Sequence, residues 1–374
     1  MPPRIVYLAT ADARGHLMRA QLLAHALQAT GAQVQVLTTS DEGARFLAGF
    51  GIDAPVLSRH YAVQFDTQQN MLRRETDRNV AHYVFRPERM LRDIVRLRAW
   101  MRDADLVVND SFHPALLFMG WMPFWRRKVV HVYGASLRRA LESNFSGRMP
   151  GVVARVFGRI VAWQIERSRA RIEHDFAYAE PQPDGRGGHR LATPVAVVAA
   201  TNDAMPEERD APRVAVYLNP HFEDTALADG LEQGLAAAGL PAHLVGEGYA
   251  QRAHWHAQDE QWVEVAARSA FIVSAPGMAA LSIAAVYGKP ILLLLTDQPE
   301  QAMNAGRAAQ LGLVHRTVVW RGHAGDFARD VAAAAGELQL AAVATDAATG
   351  RAAALGRLQH WTVLLASLAV PASR

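Results

Sequence analysis

The sequence predicts an α/β chain of two domains, each built on a parallel sheet, and three observations carry the prediction. At 374 residues the chain exceeds one ordinary core, so two domains of about 150–200 residues are expected. Half of the residues are hydrophobic and 20% are charged, a globular composition with ample apolar surface to bury. Strand-like and helix-like stretches alternate along the chain, and the alternation restarts midway.

The first forty residues read strand, loop, helix, strand. Arg4–Ala9 is a short apolar run and Thr10–Gly15 (TADARG) a polar turn. Leu17, Ala20, Leu23, Ala24 and Leu27 mark one helical face within Leu17–Thr30; Gly31 ends that helix and Val34–Leu37 opens the next strand. Such a βαβ opening implies a parallel sheet with right-handed crossovers. Further strands are expected near Asp105–Asn109 and Val129–Val132. Val80–Met101 reads as an arginine-rich helix with Leu91, Ile94, Val95 and Leu97 on its buried side. Val152–Arg171 reads as a second amphipathic helix, whose basic side suits solvent and, as an alternative, a membrane surface.

Glu180–Gly188 is a proline- and glycine-rich loop, and the polar stretch Asn202–Pro212 marks the expected boundary. Domains are expected at 1–200 and 201–355, with 356–374 a helix packing back on the first. The alternation resumes with a strand at Val214–Leu218, a helix near Thr225–Ala238, and strands at His243–Val245, Ala270–Ser274 and Pro290–Leu295. The last of these, ILLLL, suits a strand covered on both faces. The alanine-rich stretch Ala332–Ala353 favours helix. Two such alternations point to two Rossmann-like domains.

Composition narrows the function classes. There is no cysteine, which excludes disulfides and thiolate metal sites and suits a reducing cytoplasm. A net charge of +3 is too small to argue for nucleic acid. Ile5-Val6-Tyr7-Leu8 follows Met1 too closely for a signal peptide. No apolar run approaches the roughly 18–20 residues that span a bilayer. A cytoplasmic protein is expected, at most peripheral at the inner membrane.

Three places hold residues suited to chemistry. Gly15-His16 stands where the first strand hands over to its helix, the carboxyl end at which open α/β sheets bind ligands. A histidine there can serve as a general base, since its ordinary pKa lies near neutrality. Asp110 follows the strand Asp105–Asn109 at another carboxyl end. It is either the helix N-cap, a role Ser111 would fill equally, or the partner that orients His16. The third place is Ser269–Gly312, which reads strand, turn at Pro276-Gly277, helix, Gly288-Lys289-Pro290, strand, polar loop, helix. Its turn offers backbone N–H groups and a positive helix end to a phosphate. Its polar loop holds Asp297, Gln298, Glu300, Gln301 and Asn304, enough donors and acceptors for sugar hydroxyls.

This third segment resembles the donor-binding half of GT-B glycosyltransferases, including the plant and macrolide UDP-glycosyltransferases and the lipid-linked GlcNAc transferase of peptidoglycan synthesis. Gly277, Gly288-Lys289-Pro290, Glu300-Gln301 and Asn304-Ala305 stand in the order and spacing of those families. Gly15-His16 matches their Gly-His, and Asp110 in DLVVNDSF resembles the aspartate that partners the histidine in the plant enzymes. The resemblance implies two Rossmann-like domains with parallel sheets facing a central cleft. It implies an inverting, metal-independent transfer of a sugar from a nucleotide-sugar, such as a UDP-sugar, to an acceptor hydroxyl, with no cofactor. His16 and Asp110 would be catalytic; Gly15, Ser274, Gly277, Met278, Glu300, Gln301 and Asn304 would hold the donor.

The chain also departs from those families. Ile283 stands where a glutamate usually holds the ribose, Ala280 where a hydroxyl residue often meets the diphosphate, and Ala275 where the plant enzymes have histidine. Asn219-Pro220-His221 replaces a glycine-rich turn. Candidate replacements for nucleotide or phosphate contacts are His221, Arg252, His254 and His256. Two other readings compete. Gly15-His16-Leu17-Met18-Arg19 also resembles the GHxxR opening of nucleotide-sugar hydrolases of pseudaminic acid synthesis, which implies a nucleotide-sugar hydrolase or epimerase, and loss of the ribose glutamate suits a non-catalytic binding protein. The acceptor is expected to be shaped by residues 60–180, where Tyr61, Phe65, Tyr83, Phe85, Trp100, Phe112, Trp121 and Trp125 suit a lipid, aromatic or anionic partner equally.

Overall fold

The computed structural model describes residues 2–9, 14–58, 87–110, 113–135, 151–199, 214–341 and 347–370. They form two compact units. Of the described residues, the first takes those up to Pro194 and again from Arg357, the second those of Val195–Gly356.

The first unit runs β1 (Arg4–Ala9), α1 (Arg14–Ala29), β2 (Gln33–Thr38), α2 (Asp41–Gly49), α3 (Pro87–Arg102), β3 (Leu106–Asp110), α4 (Pro114–Trp121), β4 (Val129–Gly134), α5 (Gly151–Arg167), β5 (Ala170–Asp175), β6 (Gln182–Pro183) and β7 (Gly188–Ala192). Its sheet has the order β2-β1-β3-β4-β5-β7-β6, parallel throughout except where β6 meets β7. Order reverses between β1 and β3, where Ala9 pairs with Asp110. An open sheet binds its ligand outside the strand ends at such a reversal.

Both sheet faces are covered, which is why β1 and β3 are apolar nearly without interruption. Ile5, Tyr7 and Val108 pack with Leu17, Leu23 and Leu27 of α1 on one face. Val6, Leu8 and Val107 pack with Leu97 and Met101 of α3 and Leu116 of α4 on the other. Gly31 closes α1 in the left-handed region, φ 88°, a conformation that costs glycine little.

The second unit runs β8 (Val214–Leu218), α6 (Thr225–Ala237), β9 (Ala242–Gly246), β10 (Trp255–His256), α7 (Trp262–Arg268), β11 (Phe271–Ser274), α8 (Met278–Val286), β12 (Ile291–Leu295), α9 (Pro299–Gln310), β13 (His315–Val319) and α10 (Ala324–Ala341). All pairings are parallel, in the order β10-β9-β8-β11-β12-β13. Numbered within the unit this is 3-2-1-4-5-6, the doubly wound Rossmann order, with its reversal between β8 and β11. The last helix, α11 (Ala347–Ala369), begins in the second unit and ends in the first. There Trp361 is fully buried, and its indole N–H donates to the Ala192 carbonyl at 2.8 Å.

Four sequence expectations change. On α3, Leu91 and Val95 are 58% and 69% exposed, while Leu97, Met101 and Asp93 are buried. The buried stripe passes through 90, 94, 97 and 101, and Leu91 and Val95 lie one residue, about 100°, around the helix. The helix expected over Val152–Arg171 stops at Arg167, and Ala170–Asp175 is an inner strand. Its Arg171 and Glu173 alternate with buried residues and are paired by Asp184 and by Tyr178. The loop expected over Glu180–Gly188 holds β6 and the start of β7, which pair antiparallel. Asp110 ends β3 rather than following it, and His113 caps α4 by accepting from the Ala115 N–H. The polar stretch 202–212 lies outside the described residues.

Candidate active site

At the strand reversal of the first unit, β1 and α1 bring Tyr7, His16 and Arg19 to Asp110 at the end of β3. His16 sits in the first turn of α1, so its ring reaches the strand end, and its side chain is 24% exposed. Nδ1 of His16 lies 2.9 Å from Asp110 Oδ1. Three residues on, Arg19 returns to the same side of the helix. Its Nε donates to Oδ2 at 2.8 Å and its Nη2 to Oδ1 at 2.5 Å. The Tyr7 hydroxyl donates to Oδ2 at 2.7 Å.

Asp110 and Tyr7 are wholly buried, and Arg19 is nearly so. Burial alone would raise the Asp110 carboxyl; Arg19, then His16, outweigh it and hold the group well below the usual carboxylate range. Burial, with the Asp110 charge next, pushes the Tyr7 phenol well up, so it stays a donor. His174, at the end of β5, feels the same charges. Burial and then Arg19 keep it well below the usual histidine range. Its Nδ1 lies 2.9 Å from the Thr193 hydroxyl, and its Nε2 is buried with no hydrogen-bond partner among the described residues.

Sequence reasoning named His16 and Asp110 and left Tyr7, His174 and the role of Arg19 unread. Arg19 had a signal, the GHxxR spacing. Tyr7 and His174 lie inside strands with nothing local to mark them. Asp103-Ala104-Asp105, an Asp-x-Asp spelling, lies at the amino-terminal end of β3, where Asp105 accepts the Arg4 N–H at 2.8 Å. That is the end of the strand opposite Asp110. Among the described residues no cluster of three His, Cys, Asp or Glu could hold a metal.

The reversal of the second unit brings together the loop after β8 and the turn after β11. Ser274 ends β11 and donates to the Tyr217 carbonyl at 2.9 Å. Gly277 precedes α8, whose first residue is Met278, and among the described residues no side chain caps this helix. A Cβ on Gly277 would meet nothing nearer than the Ala275 carbonyl at 3.9 Å, and one on Gly15 nothing within 4 Å. Neither glycine is demanded by packing among the described residues.

Gln301 braces the polar loop on itself, and Asn304 ties it to the turn. Gln301 Oε1 accepts the Thr296 N–H at 2.7 Å, and Asn304 Nδ2 donates to the Pro276 carbonyl at 2.9 Å. Asn304 is buried, and its Oδ1 has no partner among the described residues. The Glu300 side chain lies outside the described residues, as do Tyr61, Phe65, Tyr83, Phe85 and Phe112. Ala275, Ala280 and Ile283 are buried.

The candidate phosphate residues are dispersed. His221 stands in the loop after β8, its N–H on Asn219 Oδ1 at 3.1 Å. Arg252 is held by Asp229 and Glu232 of α6, so it would have to give up a carboxylate to reach a phosphate. His254 is exposed with φ 68°. His256 is exposed on β10 and stacks on His243 with ring centroids 5.0 Å apart.

No protein-family model and no curated protein matches the chain. Solved structures do. The calicheamicin glycosyltransferase CalG4 is similar with a TM-score of 0.60 at 16% identity, over 98% of this chain and 98% of that one. The spinosyn rhamnosyltransferase SpnG, complexed with thymidine diphosphate, gives 0.57 at 17% identity over 98% of each chain. LpCGTa in complex with UDP gives 0.57 at 16% identity over 100% of each. With two doubly wound parallel sheets in one chain and these likenesses along its whole length, the protein has the fold of the GT-B glycosyltransferases.

Proposed function

We propose that the protein is a metal-independent glycosyltransferase that moves a sugar from a nucleotide-sugar to an acceptor hydroxyl with inversion. The observation that carries this reading is the 2.9 Å contact of His16 Nδ1 with the buried Asp110 carboxylate at a strand reversal. With its proton on Nδ1, His16 offers the lone pair of Nε2 to an acceptor O–H. The acceptor oxygen attacks the anomeric carbon, its proton passes to Nε2, and the bond from that carbon to the phosphate oxygen breaks. The nucleoside diphosphate leaves with the electron pair.

In the second unit the start of α8 suits the departing phosphate, since helix N–H groups favour negative charge. Such an end carries leaving-group charge without a metal. Asn304 Oδ1 and Gln301 suit sugar hydroxyls. Glu300, whose side chain is not described, is kept in that role from its place in the sequence. Nucleotide donors fit the neighbours solved with thymidine diphosphate and UDP.

The test is turnover of a panel of UDP- and thymidine-diphosphate sugars with hydroxyl acceptors, reading the anomeric configuration of the product. Inversion is expected. A retained configuration would refute the His16 mechanism, and sugar release that needs no acceptor would assign the protein to the hydrolases instead.

A further inference from the structure

Resting on that reading, we infer that Arg19 is a positioning residue: it supplies the counter-charge of Asp110, so that His16 can remain uncharged and act as a base. Asp110 is wholly buried at the end of β3, and a buried carboxylate needs a cation. Without Arg19 the nearest candidate among the described residues is His16, and an imidazolium held as the ion partner of Asp110 has no lone pair for an acceptor. The guanidinium removes that demand. It grips the carboxylate through Nε and Nη2 in the two-pronged geometry that only arginine offers.

The same contacts decide which ring nitrogen of His16 holds the proton. Nδ1 lies 2.9 Å from Asp110 Oδ1 and 2.7 Å from Arg19 Nη2, and it cannot donate to one while accepting from the other. A carboxylate oxygen only accepts, so an unprotonated Nδ1 at 2.9 Å would set two lone pairs against each other. One of the two N–H groups of Nη2 goes to Oδ1, and a proton on Nδ1 adds a second donor to that same carboxylate oxygen where a bare Nδ1 would repel it. The proton therefore belongs on Nδ1, and the contact with Nη2 is a cation beside a neutral ring. That cation also opposes a second proton on the ring. Among the described residues the charged and titratable groups around His16 include Arg19 on its own helix, Asp110 on β3 and His174 on β5, with Tyr7 of β1 on the far oxygen of Asp110.

The experiment is nitrogen-15 NMR of histidine-labelled protein, with H16Q assigning the His16 signals. It needs no substrate, so it stands or falls apart from the glycosyltransferase reading, which turnover tests separately. In the native protein the uncharged His16 ring is expected to hold its proton on Nδ1. In R19Q the ring keeps its second proton to a pH higher by about one unit or more, since the buried Asp110 charge is then left for the ring to answer. R19K, which retains the charge, stays within a few tenths of a unit of native. A native ring protonated on Nε2 overturns the proposal even if R19Q fails to fold. So does an R19Q ring that titrates with the native one.

Discussion

Buried histidines carry the acid sensitivity expected of this fold. Burial pushes His131 down to about 3, and burial with Arg19 holds His174 well below its usual range. Both are neutral in the folded chain, while an unfolded histidine takes a proton near pH 6.5. Their folded values are depressed, so their contribution is complete above about pH 6.5 and is lost as pH falls, for His131 until about pH 3. Each adds a slope of up to about 1.4 kcal/mol per pH unit in that window. Chemical denaturation at pH 7.5 and pH 5 should therefore show a smaller difference for H131Q than for native protein. An unchanged difference would mean that His131 is already charged in the fold.

Residue-level chemistry was only partly legible in the sequence. Gly15-His16 and Asp110 could be found because each stands where an apolar run ends, which is the binding edge of a parallel sheet. The Asp110–Arg19 clamp could not, because it joins a strand end to a helix 91 residues away, and only the register of β1 on β3 brings them together.

At the scale of elements, the glycines divide into two kinds. On α6, a Cβ at Gly234 would lie 2.6 Å from the Ala328 carbonyl and 2.7 Å from Val331 Cβ of α10. The two helices meet backbone to backbone there, and G234A should cost about 1–3 kcal/mol in chemical denaturation. Gly277 has no such neighbour. G277A should fold with native stability yet lose most of the thermal stabilisation that UDP or thymidine diphosphate gives the native protein. Loss of stability in G277A, or an undiminished nucleotide shift, would remove Gly277 from the donor site.

Element type followed from periodicity wherever burial was one-sided or complete. The α1 stripe and the ILLLL strand are such cases. It failed where polar residues line a strand near the sheet edge. Arg171 and Glu173 of β5 are half-buried beside their partners, so their alternation imitates the solvated face of the preceding helix. It failed again on α3, where apolar residues on both sides of the true stripe left its direction undetermined.

For the whole molecule, one restart of the strand–helix alternation was enough to anticipate two parallel sheets. Strand order was beyond the sequence, because it depends on which crossovers turn back over the first strand. That order places β1 beside β3 and β8 beside β11, and so aligns the residues picked out by motif with the two reversals. The return of α11 to the first unit was expected only as a packing helix. Its anchor, Trp361 against Ala192 and His174, came from the structure.

The central claim is that His16 deprotonates an acceptor during sugar transfer. It is tested most directly by the rate of nucleoside diphosphate release from the best nucleotide-sugar, with acceptor present, in native protein and in H16A. Loss of a general base predicts a fall in kcat of about 100-fold to 10,000-fold with little change in donor KM. An H16A protein that turns over at the native rate would contradict the account.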